Sequence, residues 1–502
     1  MRGRRRAIRA YRGRGADRRH SGRGQADRSG GPRRMARRAG AAFHGAALCP
    51  GHGGTAQDRQ RQDPEACHAQ RGRDGGHVAA RGALRDDRLG NGHAVARAGT
   101  SRLWSRRADR GRRQRRTTMT LTCKGLVLRE LERPAPFAES APLQLETVTL
   151  LPPKATDVVV KVMGGGLCHS DLSVITGNRG RMVPMLMGHE GAGEVVEIGA
   201  GIDDVRVGDK VVFQFAPSCG RCEMCQSGRP QICQAAVKAR AEGGLLSGGT
   251  RIRGADGEEI HHHTGISCFA EYAVVSRGSV VVVDDPIPMV DAAVFGCAVM
   301  TGAGAVMNTA RLQAGETVAV FGLGGVGLCG IMGARASGAE VVIGVDTVEA
   351  KRRKASELGA THVFDAADPE LASKVADLTR GGVDVAVELA GAVKALEGAY
   401  SVLRRGGRLI TAGLSPAGAT FGIDHAEMVS NEKAIIGSYM GSSVPVRDIP
   451  RFLRMYHAGA LPVDRLIDGY LGFDEVNAGF DKLAEGRALR QILAPHGHRG
   501  AT

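Results

Sequence analysis

The sequence predicts an α/β protein with two domains, a partly closed antiparallel β-barrel followed by a doubly wound parallel sheet. Two observations support this prediction. After residue 119, short β-rich segments follow one another closely and are separated by glycine turns, which is typical of small antiparallel barrels. Near residue 300 the pattern changes to apolar strands that alternate with helical segments, which is typical of a parallel doubly wound sheet.

The first quarter of the chain differs from the remainder in its charge. Residues 1–118 contain 31 Arg, no Lys and 9 acidic residues, a net charge of +22, whereas residues 119–502 carry a net charge of −6. The overall charge of +16 therefore does not indicate a nucleic-acid-binding protein. Because the Arg-rich segment has too little apolar surface to form a core, we expect one of two explanations. Either the segment is disordered, or it is not part of the natural protein and Met119 is the true start.

The apolar segments of the chain also bear on its location. The sequence has no run of about twenty apolar residues, so no membrane span is expected. Residues 1–30 lack the apolar core of a signal peptide. We therefore expect a cytoplasmic protein with reduced thiols and with neither a membrane nor a nucleic-acid partner.

Three segments predict strands of the barrel. Residues 157–171, DVVVKVMGGGLCHSD, indicate a strand that runs into a glycine-rich loop. Residues 191–215 indicate two strands joined by turns, and residues 269–276 indicate another strand. From about Met440 the chain fits neither pattern, and we expect it to return to the first domain and to end in a polar helix near FDKLAEGRALRQILAP.

The parallel sheet is predicted from residue 316 onward. Residues 316–346 indicate a strand, a glycine turn, a helix and a second strand. A helix at KRRKASELGA and strands at THVFDA, GVDVAVELAG and GGRLITAGL follow. The predicted domains are a first domain at 119–298 with a cysteine-rich lobe at about 216–235, a second domain at 299–438, a return to the first domain at 439–495 and a tail at 496–502.

Four cysteines are crowded into one short segment, SCGRCEMCQSGRPQIC, with the spacing C-x2-C-x2-C-x7-C. Four thiolates can close a tetrahedral zinc site, which has no open position and is therefore structural. The alternatives are an iron–sulfur cluster, a redox dithiol, a disulfide knot and an unfilled site. Iron–sulfur proteins with similar early spacing have their fourth cysteine closer to the third and followed by a proline. A redox dithiol needs only two cysteines. A disulfide knot is disfavoured because thiols stay reduced in the expected compartment. The spacing favours structural zinc held by Cys219, Cys222, Cys225 and Cys233.

Three further residues are candidates for a second, catalytic metal site. Cys168, His189 and Cys297 each lie beside a glycine in a loop at the end of a predicted strand. Taken singly, a buried cysteine is usually a small apolar residue, and a histidine in a loop is usually hydrogen-bonded. Spacing alone leaves both interpretations open.

A dinucleotide fingerprint lies in VAVFGLGGVGL, where Gly322, Gly324 and Gly327 form G-x-G-x-x-G between a strand and a helix. The glycines allow a pyrophosphate to approach the helix N-terminus. Asp346 ends the second strand, 24 residues after the first glycine. Its carboxylate would accept hydrogen bonds from a ribose and repel a 2′-phosphate, which favours NAD over NADP. Lys351 is either a second ribose contact or part of a solvated helix face.

Taken together, the motifs GLCHSD, GHEGAGEVVEIG, the four-cysteine lobe, GCAVMTG and GLGGVGL resemble, in this order, the zinc-dependent medium-chain alcohol dehydrogenase family. The resemblance covers about 119–495. It implies a GroES-like catalytic domain and a Rossmann domain, one catalytic and one structural zinc per chain, NAD, and a small alcohol or aldehyde as substrate. It also implies a homodimer, with a tetramer as the alternative.

The resemblance implies roles for residues near the metal. Cys168, His189 and Cys297 would hold catalytic zinc and leave a fourth position for water or substrate. Glu190 matches a carboxylate that can approach the metal. Asp171 matches a group that orients the histidine ligand.

Further roles concern the substrate and the cofactor. Ser170 matches the hydroxyl that bonds the alcohol, and Phe215 matches a residue of the substrate channel. The implied cofactor contacts belong to the glycine turn, the ribose site, the pyrophosphate site and the nicotinamide site, and they are Gly322, Gly324, Gly325, Val326, Gly327, Asp346, Lys351, His169, Arg490 and Thr301.

One position departs from the family pattern. Ser173 stands where better-known members carry a histidine at the outer end of a proton relay. The proton would leave through ribose hydroxyls and water, or the enzyme would work mainly as a reductase. Other hypotheses are a formaldehyde dehydrogenase that depends on glutathione or mycothiol, a non-catalytic NAD-binding protein, and a nucleic-acid binder acting through the Arg-rich segment.

Overall fold

The computed structural model describes residues 120–497. The predictions for residues 1–118, for Met119 as the start and for the end of the tail lie outside the described residues. The described part contains eighteen strands, which are β1 (Leu121–Leu128), β2 (Leu143–Leu150), β3 (Asp157–Gly166), β4 (Met185–Leu186), β5 (Gly191–Ile198), β6 (Lys210–Phe213), β7 (Ile252–Arg253), β8 (Glu259–His262), β9 (Tyr272–Ser276), β10 (Val280–Val282), β11 (Thr317–Phe321), β12 (Val341–Asp346), β13 (His362–Asp365), β14 (Val383–Glu388), β15 (Leu403–Thr411), β16 (Ala434–Gly437), β17 (Ile467–Leu471) and β18 (Arg490–Leu493).

The α-helices of the same range are mostly short. They are α1 (Phe137–Ser140), α2 (His169–Ile175), α3 (Glu223–Gln226), α4 (Gln234–Ala241), α5 (Met289–Ala292), α6 (Ala298–Gly304), α7 (Gly325–Ala336), α8 (Glu349–Glu357), α9 (Leu371–Thr379), α10 (Val393–Ser401), α11 (His425–Ser430), α12 (Pro445–His457) and α13 (Val476–Ala484).

The β-rich part consists of a closed barrel and a separate sheet. Strands β1, β2, β7, β8 and β4 close the barrel. The sheet has seven strands in the order β10-β6-β5-β3-β18-β17, with β9 also paired to β3. Strand β18 is antiparallel to β3, so the C-terminal part of the chain joins this sheet. The predicted GroES-like fold class is confirmed. The segments predicted as barrel strands, which form β3, β5, β6 and β9, lie in the sheet instead, and the barrel is closed by other strands.

The six-stranded sheet has the order β13-β12-β11-β14-β15-β16, and all of its neighbours are parallel. Helix α7 connects β11 to β12. All five residues of β11 are buried, as expected for a central strand covered by helices on both faces. The predicted doubly wound parallel sheet is confirmed. Because the carboxyl ends of β11 and β12 are adjacent, this edge is the expected place for a nucleotide.

The end of the chain differs from the sequence prediction of a polar helix. Helix α13 stops at Ala484, and Gly486 follows with φ of +69°, a left-handed conformation that commonly ends helices. Residues 490–493 then form β18, and all four are buried. Arg490 therefore lies on a buried strand and not on a helix.

Within the described range, no single helix has the length and apolar character needed to cross a membrane, although one bent pair of helices, Met289–Gly296 with Ala298–Thr309, meets those criteria by length and composition.

Candidate active site and metal sites

The loop after β3 positions the first predicted metal ligand. Cys168 is the N-cap of α2, and its backbone N–H donates a hydrogen bond of 3.2 Å to Asp171 Oδ2. Its sulfur accepts a 3.5 Å hydrogen bond from the Ser170 N–H. These two hydrogen bonds cap helix α2 and fix the Cys168 thiol just after the end of β3.

Four buried side chains converge there: Cys168, His189, Glu190 and Cys297. Their ligand atoms all lie within 4.8 Å of one another. His189 Nε2 is buried and has no hydrogen-bond partner, which is costly unless something else satisfies the nitrogen. Two thiols and an imidazole with an unsatisfied nitrogen are the donor set of catalytic zinc. The residues present therefore fit a zinc ion.

The other ring nitrogen of His189 is held by a carboxylate. His189 Nδ1 lies 2.8 Å from Asp171 Oδ1, and His263 Nδ1 lies 3.2 Å from the same oxygen. Burial acts to raise the pKa of Asp171, but the charge of His189 and the contacts with both histidines lower it overall. An ionised Asp171 keeps the proton on Nδ1 and leaves Nε2 as the lone-pair donor. Sequence reasoning missed His263, whose signal was the run HHHTG between two predicted strands.

A buried ion pair lies beside the predicted metal ligands. Arg490 Nη1 donates to Glu190 Oε2 at 2.8 Å and to the Leu167 carbonyl at 3.1 Å. Burial raises the pKa of Glu190 to about 7, although the positive charge of Arg490 opposes the rise. A Cβ on Gly325 would lie 2.7 Å from Arg490 Nη2, so the guanidinium packs under the first turn of α7. The predicted pyrophosphate role of Arg490 stays a prediction, and the pairing with Glu190 was not foreseen.

The glycine turn between β11 and α7 has the expected shape. Gly322 has φ of +88°, a conformation that favours glycine. A Cβ on Gly327 would lie 1.8 Å from the Gly322 carbonyl oxygen, so no larger residue fits this turn. The turn therefore brings backbone N–H groups to the N-terminus of α7, where an anion is favoured.

The carboxylate at the end of β12 braces this turn. Asp346 Oδ2 accepts a hydrogen bond from the Leu323 N–H, and Oδ1 accepts one from the Val348 N–H, both at 2.8 Å. Lys351 borders the same cavity. The carboxylate is thus fixed beside the glycine turn, where the sequence predicted a ribose contact.

A cavity of about 450 Å³ joins the thiol and imidazole cluster to the glycine turn. The predicted site residues that line it belong to the metal, cofactor and substrate sets, and they are Cys168, His169, Ser170, His189, Phe215, Cys297, Thr301, Gly322, Gly324, Gly325, Val326, Gly327, Asp346, Lys351 and Arg490. Asp171 and Glu190 are buried beside the ligands.

The four-cysteine lobe forms a second cluster of ligand atoms. Cys222 Sγ lies 3.5 Å from Cys225 Sγ and 3.8 Å from Cys233 Sγ. Four sulfurs at about 2.3 Å from a tetrahedral zinc would be about 3.8 Å apart, so the spacing fits the ion. Backbone hydrogen bonds from Cys225 and Gln234 lower the pKa of Cys222 to about 6, which favours the thiolate. The cysteines of the described range, including all four of this lobe, are free thiols.

Comparison with protein families gives two matches. Residues 154–285 match the alcohol dehydrogenase GroES-like domain, and residues 325–458 match the zinc-binding dehydrogenase family. The first match begins after β2 and covers β3 to β10, and the second begins at the first residue of α7 and extends to the end of α12.

Individual proteins are similar over most of their length. An NDMA-dependent alcohol dehydrogenase of Amycolatopsis methanolica is 38% identical over 357 residues, 70% of this chain and 95% of that protein. An S-(hydroxymethyl)glutathione dehydrogenase of Paracoccus denitrificans is 34% identical over 361 residues, 70% of this chain and 96% of that protein. The crystal structure of an alcohol dehydrogenase zinc-binding domain protein from Burkholderia ambifaria is 31% identical, with a TM-score of 0.71, and covers 75% of this chain and all of that one.

Proposed function

Because the chain belongs to the zinc-dependent medium-chain alcohol dehydrogenase family, we propose that it transfers a hydride between an alcohol and NAD in the cavity bordered by Cys168, His189 and Cys297. The observation that carries the proposal is the buried His189 Nε2, which has no partner and faces two thiols beside the glycine turn. In the reverse direction the substrate would be an aldehyde or ketone.

The residues of the site would have three roles: binding the metal, transferring the proton and excluding water. Cys168, His189 and Cys297 would hold zinc, which as a Lewis acid lowers the pKa of a bound alcohol, while NAD supplies the hydride acceptor. Ser170 Oγ, on the first turn of α2, would accept the alcohol proton and pass it outward. Phe215 packs edge-on against His189 with ring centres 5.5 Å apart, so it shields this part of the cavity from water.

The outward path of the proton does not use a histidine at position 173. Ser173 Oγ donates to the His169 carbonyl oxygen at 2.8 Å and borders the cavity. Burial lowers the pKa of His169, which disfavours its charged form. We infer that the proton leaves through ribose hydroxyls and water.

The choice of NAD over NADP rests on Asp346. Its carboxylate lies at the end of β12 and lines the cavity beside the glycine turn. A 2′-phosphate on the adenosine ribose would meet this negative charge, whereas a free hydroxyl would donate to it.

A homodimer is proposed from the exposed edge of the parallel sheet. Strand β16 pairs on one side with β15 and is the last strand of the sheet order. All four of its residues are exposed, including Ile435 and Ile436. An exposed apolar edge strand is suited to pairing with a second copy.

The cytoplasmic location stays a prediction from the sequence.

The experiment that tests the function is a substrate panel. Zinc-loaded protein would be assayed with NAD and primary, secondary and aromatic alcohols, and absorbance of NADH would be followed. The proposal expects NADH formation with at least one alcohol class and a lower rate with NADP. Absence of NADH from every alcohol, and of NADH oxidation by the matching aldehydes and ketones, would reject it.

A second candidate is a thiol-dependent formaldehyde dehydrogenase. It is favoured by the similarity to the Paracoccus denitrificans protein and by the presence of the four-cysteine lobe. Assays of formaldehyde with and without glutathione or mycothiol separate the two candidates, because a simple alcohol dehydrogenase gains no rate from the thiol.

A further inference from the structure

Besides Arg490, three arginines line the cavity, and none of them belongs to the predicted motifs: Arg179, Arg181 and Arg240. The first two lie in the loop between α2 and β4, and the third lies in the last turn of α4. Arg179 and Arg240 are half-buried, and Arg181 is exposed. The loop and the helix thus bring three guanidinium groups to one part of the cavity.

No carboxylate neutralises these three charges within residues 120–497. Arg181 Nη1 donates to the Gly180 carbonyl at 3.1 Å, and Arg240 Nη1 donates to Tyr439 Oη at 2.5 Å. Among the described residues that line the cavity, Asp346 is the one acidic side chain, and it is occupied with the glycine turn. Unpaired guanidinium groups that face a common cavity attract an anion.

The arginines are close enough to repel one another. Although Arg181 is exposed, partial desolvation by the surrounding chain lowers its pKa, and the positive charges of Arg179 and Arg240 lower it further. A bound anion would relieve this repulsion, because it would face all three guanidinium groups.

Aromatic contacts connect these three arginines, the arginine cluster, to His189 through Phe215, the predicted residue of the substrate channel. The Arg240 guanidinium lies 5.7 Å from the centre of the Tyr439 ring. The Tyr439 ring lies 5.9 Å from Phe215, and Phe215 lies 5.5 Å from His189. The path from the arginines to the metal ligands therefore runs along two aromatic rings.

The phosphates of a bound cofactor would meet a different set of cations. Arg490 packs against Gly325 at the glycine turn, and Lys351 lines the cavity that this turn borders. The positive charges that act on Arg181 come from the other two arginines of the cluster. The cavity thus holds two cationic groups, one at the nucleotide end and one at the substrate end.

We propose that Arg179, Arg181 and Arg240 bind a carboxylate of the substrate, so that the enzyme acts on alcohols or aldehydes that carry an anionic group several carbons from the reacting carbon. Arginine binds carboxylates through short, often bidentate hydrogen bonds. The rings of Phe215 and Tyr439 would contact the apolar chain between the two ends of the substrate. This inference rests on the proposed function and specifies its substrate class.

The test compares substrates that differ only in charge. The kcat/KM of the zinc-loaded enzyme with NAD would be measured for 6-hydroxyhexanoate and for 1-hexanol. We expect the carboxylate substrate to be preferred at least tenfold, since the site is partly solvated and its charges are only partly screened. A preference for 1-hexanol, or equal values, would overturn the proposal.

Variants test whether the arginines cause the preference. The triple variant Arg179→Gln, Arg181→Gln, Arg240→Gln should lower kcat/KM for 6-hydroxyhexanoate about tenfold more than for 1-hexanol, mainly through KM. The matched control Arg206→Gln changes an exposed arginine outside the cavity and should leave both values as in the wild type. An equal loss for both substrates would show a general effect on folding or chemistry and would refute the assignment.

Two further measurements are needed. One distinguishes the two kinds of substrate that could carry the carboxylate, and the other separates the arginine site from the proposed function. Formaldehyde with glutathione distinguishes a carboxylate-bearing thiol adduct from a simple hydroxy acid, and preference for either supports an anionic substrate. Calorimetric titration of 6-hydroxyhexanoate into the zinc- and NADH-loaded enzyme works without turnover. If 6-hydroxyhexanoate binds more tightly to the wild type than to the triple variant, the arginine site is supported even if no alcohol is oxidised. Equal binding to the two proteins would refute it. Lack of turnover would reject the proposed function alone.

Discussion

The two ring nitrogens of His189 have different surroundings, and this difference defines the site at the scale of single residues. Nδ1 faces Asp171, while Nε2 is buried without a partner and faces Cys168 and Cys297. A buried, unpartnered nitrogen would destabilise the fold if nothing bound it. The proposed metal ion, held through Nε2 and two sulfurs, would satisfy this nitrogen.

Cys168→Ser tests this assignment. A serine hydroxyl is a poor zinc ligand, so kcat should fall by at least roughly 100-fold, while the affinity for NADH, measured by fluorescence titration, should change little. Cys123→Ser is the matched control, because Cys123 is a buried thiol outside both clusters. It should keep its kcat, and a Cys168→Ser enzyme with wild-type turnover would contradict the catalytic role.

His262 gives a prediction about pH. It is buried, its Nε2 accepts a hydrogen bond from the Arg251 N–H, and burial with the charges of Arg251 and His261 lowers its pKa to about 3. In the unfolded chain the imidazole takes up a proton below its ordinary pKa of about 6.5, but in the folded chain it does not until about pH 3. The free energy of unfolding should therefore decrease as pH falls through this window, by about 1.4 kcal/mol per pH unit from this group.

Urea unfolding at pH 7, 6 and 5 measures this slope. His262→Gln keeps an acceptor for Arg251 and removes the titrating group, so its free energy of unfolding should fall less steeply below pH 6.5. His425→Gln, which changes an exposed histidine, should follow the wild type. Identical slopes for wild type and His262→Gln would show that this residue does not govern the acid side of stability.

At the scale of elements, the four-cysteine lobe is held by loops and two short helices. Helix α3 begins after Cys222, and α4 begins after Cys233. Helices of four and eight residues have little stability of their own, so the lobe depends on its cross-link. The proposed zinc, bound by four sulfurs, would supply that cross-link and leave no position for substrate.

Cys222→Ser should therefore act on stability before it acts on chemistry. We expect one zinc fewer per chain by elemental analysis and a melting temperature lower by at least about 5 °C. The kcat measured at low temperature should stay close to that of the wild type. Loss of kcat at low temperature without a change in melting temperature would contradict a structural role.

Strand β16 provides the corresponding test of assembly. Ile436→Lys places a charge on an exposed apolar edge strand, which disfavours pairing with a second copy. Light scattering should give the mass of two chains for the wild type and one for the variant. Val207→Lys, at an exposed apolar position outside the parallel sheet, is the control and should stay dimeric. A monomeric wild type would contradict the proposed dimer.

At the scale of the whole molecule, local sequence signals predicted the motifs, and tertiary contacts decided the rest. The glycine turn was predictable because β11, Gly322, Gly327 and α7 are contiguous in sequence. The two clusters of metal ligands were predictable because each candidate lies in a short motif, although spacing alone left Cys168, His189 and Cys297 open to other interpretations.

What the sequence could not reveal depends on pairings between distant segments. Arg490 was expected on a helix, but burial of β18 against β3 turns it toward Glu190, 300 residues earlier in the chain. His263 and the arginine cluster were missed because no motif joins them to the catalytic residues. Arg179 and Arg240 are separated by the whole four-cysteine lobe, and only the fold places them at one cavity.

Metal analysis combined with turnover tests the central claim most directly. Pure, active enzyme should contain two zinc ions per chain, chelation should remove NADH formation from an accepted alcohol, and added zinc should restore it. Active enzyme without zinc, or a rate that chelation leaves unchanged, would contradict the assignment of Cys168, His189 and Cys297 as the catalytic metal site.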